Sequence, residues 1–189
     1  MIYEAQKSAI LEHILRTNEA SCIIIFAGKK VEVRNLANHL QKRGFNAKGM
    51  HSDLEQSERE QVMLDFRNRK LRILVATNVV SRGIDIDDID LILNYDVPRD
   101  PEDYVHRVGR TARAARKGQA ITFVNDKEMR EFGNIEKLIG YEVKKMPLPE
   151  SLGPAPAYRP EERVKKTPND NRRQGGGGGR SQGGGGRRR

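Results

Sequence analysis

Cys22-Ile23-Ile24-Ile25-Phe26-Ala27 decides the architecture. From Ile23 to Ala27 every position is apolar and the run is short, the pattern of a strand buried on both faces. Ile73–Ala76 and Asp90–Asn94 repeat it, and Phe45–Met50, Ala120–Val124 and Tyr141–Met146 are further strand candidates. The intervening stretches have helical spacing. Ala5, Ile10, Ile14 and Leu15 mark a helix over 3–17, and Val31, Leu36, Ala37 and Leu40 mark a second that stops at Gly44. Ser52-Asp-Leu-Glu55 reads as a capping box opening a helix over 53–69, and a further helix is expected over 126–139. Strands alternating with helices imply an α/β fold, a parallel sheet covered on both faces in three layers. In such sheets ligands sit beyond the carboxyl ends of the strands, so the loops after Phe26, Met50, Ala76 and Asn94 are where function is expected to collect.

The loop after Asn94 leads into Asp100-Pro101, an N-cap with proline at the first helical position, and then into Tyr104-Val-His106-Arg107-Val-Gly109-Arg110-Thr111-Ala-Arg113. At helical spacing His106, Gly109, Arg110 and Arg113 share one face, which has no apolar residue to bury. Guanidinium is planar, always charged and bidentate, so this face suits polyanionic oxygens; an ordinary solvated basic face is the alternative. After Ala76, Thr77 can donate to a phosphate, Gly83 permits close backbone approach and Asp85 is a pure acceptor suited to a ribose hydroxyl or an arginine; a solvated turn is the alternative. Gln56 and Arg59 lie three apart on their helix, where Arg59 either holds a phosphate or pairs with Glu55. His13 and His39 read as surface residues, and His51 stands at a strand end without companion ligands. The acidic run Asp85, Asp87, Asp88, Asp90 lacks the glycine of an EF-hand loop, and with no Cys/His cluster a metal site is not expected. Gly44 to Gly49 has the glycine spacing of a phosphate-binding P-loop but continues into Met50-His51 and leads from helix to strand, so it is rejected.

The formal net charge is +9, but residues 151–189 carry ten Lys/Arg against three Asp/Glu, so the basic character belongs mainly to the tail and points to nucleic acid or another polyanion. Six of the eight prolines lie between 147 and 168, an extended linker, and the end of the chain is almost wholly glycine and arginine, which cannot offset its own ordering entropy. The expected organisation is a folded domain over 1–146, a proline-rich linker over 147–169 and a disordered Arg/Gly-rich tail over 170–189. The single cysteine, Cys22, reads as a buried inert thiol. No run approaches the eighteen apolar residues of a membrane span and the N-terminus is not a signal peptide, so a cytoplasmic protein without a membrane partner is expected.

Four ordered motifs carry a family resemblance over about residues 1–146. Tyr104 to Arg113 is similar to H-R-x-G-R-x-x-R, Ala76-Thr-Asn-Val-Val-Ser-Arg-Gly-Ile-Asp85 to A-T-D-x-x-x-R-G-[IL]-D, and His51-Ser-Asp-Leu-Glu-Gln56-Ser-Glu-Arg59 to H-G-x-x-x-Q-x-x-R, with the run at 25–30 as the fourth. Together they resemble the second RecA-like domain of DEAD-box RNA helicases, and the tail resembles the RhlE-like bacterial subgroup. The resemblance implies that Arg110 and Arg113, with His106, act on the γ-phosphate of ATP as arginine fingers, and that Gly83 and Asp85 hold the ribose. It implies that His106 and Arg107 bridge to the other domain, and that Gly28, Lys29, Gln56, Arg59, Thr77 and Arg82 grip the RNA backbone without regard to sequence. Ser52, Asn78 and Ala112 depart from the pattern, where the family has glycine, aspartate and most often glycine, and put only loop geometry in question. The family's first domain, with its P-loop and Asp-Glu-Ala-Asp sequence, has no counterpart here. ATP and Mg²⁺ are therefore expected to be held mainly by an absent N-terminal RecA-like domain, and this fragment is expected to be inactive alone. The alternatives are a stand-alone RNA-binding or annealing module, and a helicase-like partner that lends its arginines to another ATPase.

Overall fold

The computed structural model describes residues 1–77, 89–111 and 118–161. Five strands, β1 (Ile23–Phe26), β2 (Ala47–Met50), β3 (Ile73–Ala76), β4 (Leu91–Asn94) and β5 (Gln119–Thr122), form one all-parallel sheet in the order β2-β3-β1-β4-β5. Ile23 sits beside both Ile73 and Leu91, so the run that opened the sequence is the central strand. Its side chains divide between two cores. Ile23, Ile25 and Ala27 pack with α1 (Lys7–Thr17) and α2 (Lys30–Lys42), whereas Cys22, Ile24 and Phe26 pack with α3 (Gln56–Arg67). The period of two is thus present in a run that looks unbroken, because helices cover both faces. Each such buried Ile or Leu contributes roughly 1.5–3 kcal/mol. A third cluster joins α4 (Pro101–Val108) to α5 (Met129–Ile139), with Tyr104 and Phe132 edge to face at 6.3 Å.

Asp100 caps α4 as its sequence required, Oδ1 accepting from Glu102 N–H at 3.0 Å with Pro101 in the first turn. Several boundaries differ from expectation. Tyr141–Met146 is not a strand. Gly140 ends α5 in the left-handed conformation at φ 78°, and Val143 N–H is taken by Glu136 Oε1 at 2.8 Å instead of a ladder partner. The capping box lies one turn later than Ser52, between Glu55 and Glu58, with Glu55 N–H donating to Glu58 Oε2 at 2.9 Å. Helix α4 stops at Val108, and Gly109 to Thr111 form a turn closed by bonds from Arg110 N–H to Arg107 C=O and from Thr111 N–H to Val108 C=O.

The proline-rich stretch is extended, but through Glu161 it lies against the domain. Gln6 Nε2 donates to the carbonyls of Leu152 and Pro154 at 2.7 and 3.1 Å, Tyr158 packs on Phe132 and donates a hydrogen bond from its hydroxyl to Glu136 Oε2 at 2.5 Å, and Pro160 rests on Gly133. The expected Arg/Gly tail over 170–189 lies outside the described residues. Among the described residues no helix is long and apolar enough to cross a membrane.

Candidate functional site

Because every strand runs the same way, the segments following β1, β2, β3 and β4 emerge along one edge of the sheet. Between β1 and β4 the strand order reverses, since β1 connects towards β2 and β4 towards β5. At that point a cleft of about 1090 Å³ opens, lined by Gly28 and Lys29 after β1, Asp96 after β4, Glu32 of α2 and Arg107 of α4. Gly28 and Lys29, expected to grip RNA, and Arg107, expected to bridge to the other domain, all line this cleft, and two of them are already engaged. Gly28 N–H donates to Asp96 Oδ2 at 2.7 Å, and a Cβ at Gly28 would meet that oxygen at 3.3 Å. Arg107 was expected to reach out to another domain. Instead it turns inward, 5% exposed, donating from Nη1 to Asn94 Oδ1 at 2.7 Å with its guanidinium 4.7 Å from the Phe26 ring centroid. Asn94 is fully buried and passes the link on to Thr122 Oγ1 at 3.1 Å. Burial pushes the Arg107 pKa down to about 10, against the pull of Asp103 and Asp96.

Locking Arg107 inward turns the opposite side of α4 outward. His106 and Gly109 are exposed and Arg110 half-buried on the turn beyond the helix. Since α4 ends at Val108, the face extrapolated from His106 to Arg113 is not one continuous helix face. Arg113, and with it Arg82, Gly83 and Asp85, lies outside the described residues. Gln56 and Arg59 stand on α3 away from the cleft. Gln56 Nε2 donates to Glu60 Oε1 at 2.8 Å, whereas Arg59 Nε is buried with no hydrogen-bond partner among the described residues, and it makes no ion pair with Glu55. Thr77 is half-buried just past β3.

Sequence reasoning missed the ionic floor of the cleft. Lys7 is 2% exposed, with Nζ at 2.7 Å from Asp96, 3.2 Å from Glu4 and 3.8 Å from Glu128. Burial pulls its pKa down, but the bond to Asp96 and the three carboxylates outweigh it and the pKa is raised. Glu32 is pushed up to about 7, first by burial and then by the neighbouring Asp96 carboxylate. A lysine in a helix with an otherwise apolar stripe gave no signal of this. Asn94, a polar residue closing an apolar run, did. Among the described residues no group of His, Cys, Asp and Glu is placed to hold a metal ion.

The family model of the helicase conserved C-terminal domain matches residues 6–115. The chain is 41% identical over 148 residues to the ATP-dependent RNA helicase DbpA of Bacillus subtilis, covering 78% of this chain and 31% of that protein. It therefore spans about a third of the length of that relative. Among solved structures it is similar to Escherichia coli DEAD-box protein SrmB bound to regulator of ribonuclease activity A, with a TM-score of 0.75, 34% identity and coverage of 88% of this chain and 94% of that one. It is also similar to Saccharomyces cerevisiae Dbp5 bound to RNA and ADP BeF3, with a TM-score of 0.69, 36% identity and coverage of 74% of this chain and 37% of that one. With the sheet order, the cleft at its reversal and the Arg107 lock already in view, these likenesses place the chain in the helicase conserved C-terminal domain family, as the DEAD-box form of that domain.

Proposed function

We propose that this chain is the C-terminal half of an ATP-dependent RNA helicase, binding RNA backbone and supplying arginines to ATP held on a separate N-terminal domain, so that RNA is unwound or remodelled. The observation that carries the reading is the outward-facing His106–Gly109–Arg110 turn, held at the carboxyl ends of the strands by buried Arg107. This turn offers a guanidinium and an imidazole and no carboxylate, which fits the outer oxygens of a triphosphate better than its metal. ATP with Mg²⁺, when bound on the N-terminal domain, supplies the phosphoryl group and its counter-charge. Arg110 and Arg113 stabilise the negative charge that grows there, and His106 aligns the two domains. Arg107 serves this alignment from beneath, as the anchor of α4. Gly83 and Asp85 take the ribose. Lys29, Gln56, Arg59, Thr77 and Arg82, with the Gly28 loop, take phosphate and sugar of single-stranded RNA, so recognition is sequence-tolerant. The unpartnered Arg59 Nε supports this assignment.

In the same reading the protein is cytoplasmic, the domain proper is 1–146 with a linker to 169, and the Arg/Gly tail of an RhlE-like protein adds non-specific RNA affinity. The test is hydrolysis with and without the other half. The chain alone is expected to turn over no ATP at any RNA concentration, and joined to a DEAD-box N-terminal domain it is expected to show RNA-stimulated turnover. Turnover by the chain alone, free of contaminating ATPase, refutes the division of labour.

A further inference from the structure

A second groove, of about 550 Å³, runs along the open edge of β2 between α2 and α3 and plays no part in the cleft at the sheet reversal. Its floor is Gly49. Ile73 N–H donates to Asn46 C=O at 3.0 Å, so in the parallel ladder Asn46, Lys48 and Met50 face β3, and the N–H and C=O of Gly49 face away from the sheet. Gly49 is there because α2 leaves no room for a side chain, with Ala37 Cβ 3.2 Å from where a Cβ would stand. At one end lies His51, 8% exposed, whose Nδ1 is buried without a hydrogen-bond partner among the described residues. A buried unpaired ring nitrogen costs roughly 1–3 kcal/mol unless something supplies the missing partner. The walls add Arg34 and Asn38 of α2 and Ser57 in the first turn of α3, none of which donates a side-chain hydrogen bond within the described residues.

The acids around the groove are spent. Glu58, which lines it, accepts Glu55 N–H at 2.9 Å, Asp65 takes Lys48 at 3.0 Å and Gln61 at 2.9 Å, and Asp53, whose carboxylate is within electrostatic reach of His51 and Arg34, takes Lys30 at 2.7 Å. What is left is a set of unused donors beside one cationic side chain, Arg34, since Lys48 is held by Asp65 and the N-terminus of α3 by its own capping box. That set recognises an anion. Apart from Leu54 the exposed walls are polar, without the succession of apolar pockets that reads an added peptide strand. His51, Leu54 and Ser57 line the groove, and Gln56 directly precedes Ser57 in the chain.

We propose that this groove is a phosphodiester subsite that carries the RNA strand onward from the Gln56–Thr77 face along the edge of β2. The proposal rests on the RNA reading above. Gly49 N–H, the His51 ring, Ser57 and Asn38 donate to backbone oxygens, and Arg34 neutralises one phosphate.

The test is nuclear magnetic resonance of the full 189-residue chain, labelled with nitrogen-15, titrated with decauridylate. The Gly49 amide and the His51 ring are expected to shift together with the Gln56 and Thr77 amides. Arg34→Gln, an exposed change that spares the core, is expected to abolish the Gly49 and His51 shifts, to leave those of Gln56 and Thr77, and to flatten the slope of log affinity against log salt by about 0.7, one phosphate's worth. Shifts at Gln56 and Thr77 with Gly49 and His51 silent overturn the groove and leave the RNA reading standing. Silence at all four overturns the RNA reading itself. Gly49 and His51 moved by an uncharged capped pentapeptide but not by RNA reassign the groove to strand addition and overturn the proposal.

Discussion

Asn94→Leu tests whether buried Arg107 is what fixes helix α4. Leucine keeps the branched side chain of four heavy atoms and suits a fully buried strand end, although it is the bulkier of the two. What goes is the 2.7 Å acceptor of a guanidinium that is 5% exposed and still charged at neutral pH, its pKa pushed down only to about 10. A hydrogen bond to a charged group contributes roughly 1.5–3 kcal/mol, and stripping a buried charge of its partner costs about 3–5 kcal/mol. The Phe26 ring and the attraction of Asp103 and Asp96 remain, so the loss is expected to stay within the first of these ranges, at about 2–3 kcal/mol. In urea, with a slope of roughly 2 kcal/mol per molar, the midpoint then falls by about 1 M. Asn94→Asp keeps an acceptor facing Arg107 and is expected to recover most of the loss. Equilibrium unfolding followed by circular dichroism reads both variants. A midpoint for Asn94→Leu within about 0.2 M of the parent, or Asn94→Asp no better than Asn94→Leu, refutes the assignment of Arg107 as the anchor.

Glu32→Gln should change how stability varies with pH. A carboxyl at about 7 in the folded chain against an ordinary 4.5 keeps a proton that the unfolded chain has released, so across that window its contribution to stability falls as pH rises. The glutamine variant, compared by thermal melts, is expected to gain on the parent from pH 5 to 8 and to match it near pH 4; a constant offset contradicts the Glu32–Asp96 pairing. Gly118→Ala places a Cβ 2.1 Å from the Thr111 carbonyl oxygen, so the turn bearing Arg110 must move. A loss of roughly 1–3 kcal/mol is expected, with amide shifts at Arg110 and Thr111 as the readout. Gly133→Ala sets a Cβ 2.8 Å from Pro160 Cβ and should lift the 154–161 segment from α5, read as faster chymotryptic cleavage after Tyr158.

The sheet was legible because the fold writes it in an unusual code. Ile23–Phe26 is apolar at every position only because helices cover both faces, and no helix of four residues competes with that reading. Asp100-Pro101 was equally plain, since cap and proline are local chemistry. Boundaries set by tertiary partners were not. Tyr141–Met146 alternates like a strand, yet Glu136, a residue of the preceding helix, takes its amide and ends the pairing. Glu55 reads from sequence as the closing residue of a capping box begun at Ser52 and is the cap itself. The charged groups were the least legible. Arg107 and Arg110 are three residues apart on an arginine-rich stretch, and which one turns inward depends on Asn94 at the end of the preceding strand. Lys7 looks like any surface lysine in a helix until Asp96, Glu4 and Glu128 close around it. His51, noted only as lacking companion ligands, owes its place in the β2 groove to helices that no local signal joins to it.

The most direct measurement is RNA-stimulated ATP hydrolysis by the chain joined to a DEAD-box N-terminal domain, with Arg110→Lys and Arg113→Lys beside the parent. Lysine keeps the charge and loses the planar fork, so it separates an arginine finger from a merely cationic surface. The account expects turnover to fall steeply, towards the roughly 10³–10⁵-fold that such a finger contributes, with a smaller change in the Michaelis constant for ATP. Turnover in both variants equal to the parent's would contradict it.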